Sequence, residues 1–143
     1  MTAAKPFQTL RVMLFAISAI MGVAALVLIF APSLLLSWAP GNVPPPNTAY
    51  EHAMLAALGI FALPFAYVLC VAARDPARYA AVVDALILFL LAAAALNLYG
   101  LMALGLGTFY PAGYLVVRSI VQLILAAVLF ALRPKAGGSF PEP

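Results

Sequence analysis

Apolar residues in this chain come in four long runs, the first of them without a charge, rather than in the short alternations of strands or the amphipathic stripes of soluble helices. The first occupies 12–31 inside a span of about 10–31. The others lie at about 50–73, 79–104 and 114–132. Each holds roughly 20 residues or more, enough at about 1.5 Å rise per residue to cross a hydrocarbon core about 30 Å thick. The pattern predicts an all-α membrane protein, a bundle of four transmembrane helices.

Breakers separate the runs. Residues 32–47 carry Pro40, Gly41 and the triplet Pro44, Pro45 and Pro46, a composition that predicts an extended, helix-free loop, with Trp38 as an interfacial aromatic. Arg74, Asp75, Pro76 and Arg78 form a short charged turn, which forces the second and third spans to run antiparallel. Gly105, Gly107, Pro111 and Gly113 mark another loop, flanked by Phe109, Tyr110 and Tyr114 as belt aromatics. Pro64 falls within the second span and predicts a kink. The tail 136–143 has nothing with which to bury itself and reads as flexible.

Composition sharpens the picture. With 67% hydrophobic and 8% charged residues among 143, the chain lacks the polar surface a water-soluble domain requires, and the lipid bilayer becomes its first partner. The net charge of +3 does not point to nucleic acid, since the cations sit at span ends and form no run. Lys5, Arg11, Arg74, Arg78, Arg133 and Lys135 fall on one side of a four-span arrangement and only Arg118 toward the other. The positive-inside rule then places both termini in the cytoplasm. The basic residues before the first run also resemble a secretory leader, but the run is too long and lacks a cleavage signal, so it reads as an uncleaved anchor in a bacterial inner membrane.

Helix association in lipid relies on close approach through small residues. Ala53 with Ala57, the run Ala92 to Ala95, Ala103 with Gly107, and Ala127 with Ala131 are candidates.

Candidate chemistry is sparse. An ionisable group inside a span costs roughly 2.5–3.5 kcal/mol on insertion scales, so each one is a site candidate. Glu51, His52, Asn97, Tyr99 and Arg118 share one depth in the outer half, and Gln122 extends the track one turn inward from Arg118. One reading is an outward-facing cavity in which Arg118 clamps an anionic or carbonyl group while Glu51 and His52 set its charge. The other is a structural Glu51 to Arg118 ion pair with the aromatic and His side chains as belt residues. Asp84 lies roughly 8 Å into the third span from the cytoplasmic side, with Arg11 or Arg133 as pairing partners or a role in an ion pathway.

A single Cys70 allows no intrachain disulfide and no paired thiol chemistry, and one His excludes bis-histidine haem. No residue set suggests a metal or other cofactor. The first span carries no glutamate, unlike carriers of the small multidrug-resistance kind.

A second span opening Tyr50, Glu51, His52, closed by Ala73, Arg74, Asp75 and Pro76 after a loop with a Trp and prolines, resembles small bacterial four-helix membrane proteins, including the DoxX-like group. The resemblance covers about two thirds of the chain and implies a fold; some DoxX-type proteins are small subunits of quinone or redox complexes.

These observations lead to an accessory or scaffolding subunit of a larger membrane complex, with other subunits or further copies as partners and no enzymatic role. The alternatives are a homo-oligomeric carrier or pore using Glu51, Asn97, Arg118 and Gln122, and a membrane-embedded lipid- or quinone-linked enzyme using Glu51, His52 and Arg118.

Overall fold

A computed structural model of the chain describes residues 7–38, 41 and 48–134. The described residues are helical, with no strand: α1 (Gln8–Phe30), α2 (Pro32–Trp38), α3 (Ala49–Arg74), α4 (Ala80–Ala103), a 3-10 turn (Leu106–Thr108) and α5 (Ala112–Leu132). Four of these helices, α1, α3, α4 and α5, are long and apolar enough to cross a membrane. No more than 28% of the most apolar window of any of them is buried within the chain. Most of their hydrophobic surface therefore lacks protein cover, and in water it would carry the full cost of apolar exposure. The proline triplet 44–46 and the tail 136–143 lie outside the described residues, as does the side chain of Trp38.

The segment after α1 differs from its expectation. Residues 32–38 form α2 rather than extended chain, because Pro32 occupies the first helical position, where its fixed φ suits a helix and its missing N–H costs no bond. Residue Gly41 has φ 138, and a Cβ there would collide with the backbone of Phe109 and Tyr110, so Gly41 meets the loop after α4 backbone to backbone. Helix α3 runs as one element through Pro64, which removes one backbone donor, the bond that the Ile60 carbonyl would accept.

The helices are arranged as two tight pairs. Helix α1 packs chiefly on α3, and α4 on α5, whereas α3 touches α4 and α1 touches α5 only lightly. Along α1 the contacts fall on Arg11, Ser18 and Ala25, and their opposites on α3 are Ala73, Ala66 and Gly59. Ser18 and Ala25 are seven residues apart, as are Gly59, Ala66 and Ala73, and all five are buried. A repeat of seven keeps one seam of a helix facing its neighbour over several turns. The second pair uses the same period. Leu115, Ser119, Gln122, Ala126 and Leu129 line α5, and Val83, Ile87, Leu90, Ala94 and Asn97 line α4, at alternating steps of four and three.

The two pairs join at one end. Leu10 and Leu14 from the start of α1, Leu69 and Ala73 from the end of α3, Val83 to Leu90 at the start of α4, and Ala126 and Leu129 from the end of α5 form a single core. Beside it, between α3 and α4, an apolar cleft of about 550 Å3 is lined by Phe61, Phe65 and Leu69 on one side and Ala81, Ala85 and Phe89 on the other.

Two of the expected small-residue contacts are not used. Gly107 lies in the 3-10 turn, because Gly105 adopts a left-handed conformation (φ 68) after α4 ends, so Ala103 and Gly107 share no helical face. Ala127 and Ala131 are exposed, one position round from the buried Ala126.

Candidate functional site

Of the polar residues singled out in the sequence, the structure brings two together. Asn97 Nδ2 donates to Gln122 Oε1 at 2.9 Å across the α4–α5 seam, with both side chains half-buried. Gln122 stands at the middle of α5. Three residues earlier on the same face, the buried Ser119 hydroxyl lies 2.9 Å from the Leu115 carbonyl of its own helix and 3.4 Å from the Ala94 carbonyl of α4. These groups answer one another across the seam, and a polar pair of this kind holds two apolar helices in register. Neither amide ionises, so the pair itself offers no acid and no base.

The remaining members are elsewhere. Glu51 is the third residue of α3 and closes a reciprocal capping box: its N–H donates to Thr48 Oγ1 at 3.1 Å, and the Thr48 N–H donates to Glu51 Oε2 at 3.2 Å. That geometry accounts for an acidic residue at this point, since it satisfies two orphan donors at a helix start. His52 follows it, exposed. Tyr99 is exposed on α4, two residues beyond Asn97 and thus on the opposite face. Arg118 is exposed on α5, and its helix packs on α4 rather than on α3.

Among the described residues the ion pair that forms is not Glu51 with Arg118 but Arg133 with Asp84, at 3.3 Å, with about half of each side chain exposed. Arg133 also lies over the Phe130 ring, 4.2 Å from its centroid, in a cation–π contact. Arg11 is not the partner of Asp84; it donates from Nε to the Ala73 carbonyl at 3.1 Å. That carbonyl belongs to the last turn of α3, where intrahelical donors run out, and a cation is the favourable partner there.

Four features were not anticipated from the sequence: the Arg11 bond, the Ser18 hydroxyl donating to the Ala66 carbonyl at 2.6 Å, the Ser119 hydroxyl against the Ala94 carbonyl, and the apolar cleft. The serines had a signal, since Ser18 precedes Ala25 and Ser119 precedes Ala126 by seven residues. The cleft had none, because its lining reads as ordinary lipid-facing sequence. Among the described residues no three of His, Cys, Asp and Glu gather as a metal site would require, and Cys70 is half-buried and unpaired with any other cysteine.

Comparison of the chain with family models, with curated proteins and with solved structures yields no match.

Proposed function

We propose that this chain is an accessory or scaffolding subunit of a larger complex in a bacterial inner membrane. In this reading it is an antiparallel bundle of α1, α3, α4 and α5, with both termini and the 74–78 turn in the cytoplasm, and its DoxX-like resemblance is one of fold. The falling order of α3 partners along α1 supports the antiparallel arrangement. The charge distribution supports the orientation.

The observation that carries the proposal is Arg118. It stands six residues into α5, roughly 9 Å from the helix start, exposed beside Val117, Ile120 and Val121, which are exposed too. Within the chain it makes no hydrogen bond or ion pair with another described residue. A guanidinium on an apolar helix face is costly in lipid and is relieved by a carboxylate or amide from a neighbouring protein. The surrounding apolar surface then serves as the packing face. A carrier that used Glu51 and Arg118 together is a poorer fit, because Glu51 is engaged at its own helix cap.

The test is purification of the native and Arg118→Gln chains from the source membrane in lipid nanodiscs, with mass spectrometry of co-eluting proteins. A stoichiometric foreign subunit that is lost with Arg118→Gln supports the proposal. Elution of the native chain alone or as a homo-oligomer overturns it.

A further inference from the structure

We infer that the cleft between α3 and α4 is a site for one anionic phospholipid, its acyl chain lying along Phe61, Phe65 and Phe89 and its phosphate at the turn that carries Arg74 and Arg78. The inference rests on the membrane-spanning part of the function proposed above and not on the subunit role.

The cleft is built almost wholly of carbon. Its volume of about 550 Å3 falls within the roughly 300–1,000 Å3 of sites that enclose small molecules. It is long rather than round, since its lining runs from Leu58 to Leu69 on α3 and from Ala81 to Phe89 on α4. Those segments cover about twelve residues of one helix and nine of the other, or roughly 13–18 Å at 1.5 Å per residue. A flexible chain of methylenes fits such a slot. A compact polar metabolite does not, because almost nothing in the lining donates or accepts a hydrogen bond.

The slot also has a distinct end. Ala81 and Val82 lie within three residues of the turn joining the two helices, so that turn follows directly on one end of the cleft lining. It presents Arg74 and Arg78, both exposed, against the single carboxylate of Asp75, which already accepts the Arg78 backbone N–H at 3.3 Å. Helix α4 begins beside it at Ala80, and no side chain caps that start. A basic mouth on an apolar slot matches a molecule with an anionic head and a hydrocarbon tail. Basic sites between membrane helices on the cytoplasmic side recognise lipid phosphates in this way. The light contact between α3 and α4 gives the lipid a structural task as well, since it fills the space that direct packing leaves open.

The experiment uses the full chain in nanodiscs of equal phosphatidylglycerol and phosphatidylcholine, released into native mass spectrometry. Insertion is checked beforehand by flotation with vesicles. The expected result is one retained lipid per chain, enriched in phosphatidylglycerol over the bulk ratio. Arg78→Gln is expected to lower that enrichment about fivefold, the effect of one cation near a charged surface, while Arg78→Lys preserves it. Ala85→Phe, which fills the cleft, is expected to remove the retained lipid at unchanged helical content.

Equal retention of both lipids overturns the inference. So does an equal loss of enrichment with Arg133→Gln, which would assign the preference to the general charge of that face. A dimer cross-linked through a cysteine placed at Phe89, carrying no lipid, would show a second copy in the cleft and also overturns it. Failure to float removes the membrane reading itself, a result distinguishable from all of these.

Discussion

The α1–α3 and α4–α5 pairs solve one problem by different means. Both are seams of seven-residue period, and both place a buried serine against an alanine carbonyl, Ser18 with Ala66 and Ser119 with Ala94. Beyond the serine they diverge. In the first pair Gly59 lets the α1 backbone come so close that a Cβ would sit 2.6 Å from the Ala25 carbonyl oxygen and 2.7 Å from Ile29 Cγ1. In the second pair the side chains of Asn97 and Gln122 join the helices with a hydrogen bond. The contrast teaches that two apolar helices can be held together either through contact so close that only glycine permits it or through polar groups paired across the seam.

The largest effect is expected at Gly59. Replacing it with Leu sets a side chain against backbone that cannot yield, separating α1 from α3 at a cost of about 1–3 kcal/mol or more. Reversible unfolding in mixed detergent micelles measures it, and a wild-type midpoint would refute the claim of close approach. Gly113→Ala is the control, because nothing lies within 4 Å of a Cβ there.

A smaller effect is expected in the other seam. Asn97→Leu or Gln122→Leu alone should each cost about 0.6–1.7 kcal/mol, since either leaves an amide without its partner. The double substitution should cost less than the sum of the two. A double-mutant cycle showing strict additivity would mean that the two amides do not stabilise each other.

The smallest belongs to the Asp84–Arg133 pair. With the two side chains 54% and 43% exposed, solvent screens it, and Asp84→Asn should change stability by no more than about 1 kcal/mol, with a dependence on salt. A larger, salt-independent loss would show that the pair lies in a drier place than its exposure implies.

The four runs of apolar residues, with Pro76 and the glycines of the second loop, were sufficient to locate α1, α3, α4 and α5 to within a few residues. Length and hydropathy are local properties, and they survive whatever the neighbours do. The glutamate of α3 was legible as well, in principle, since Thr48 with Glu51 three residues later is a helix-start signature. Grouping by depth was the weaker guide. It put Glu51, His52, Tyr99 and Arg118 beside Asn97 and Gln122, but depth says nothing about which way a side chain points round its helix, and Tyr99 and Asn97 face opposite directions.

What the sequence by itself determined is therefore the set of helices and the common end of Arg11, Arg74, Arg78 and Arg133. Which helix pairs with which, which of the abundant alanines meets a neighbour, and where a cleft remains were decided only by the tertiary structure. The physical reason is that a chain apolar on every side carries no stripe to mark its buried face. Packing in such a chain is settled by steric fit between helices, at Gly59 against Ala25 and at Asn97 against Gln122, and that fit exists only once both partners are in place.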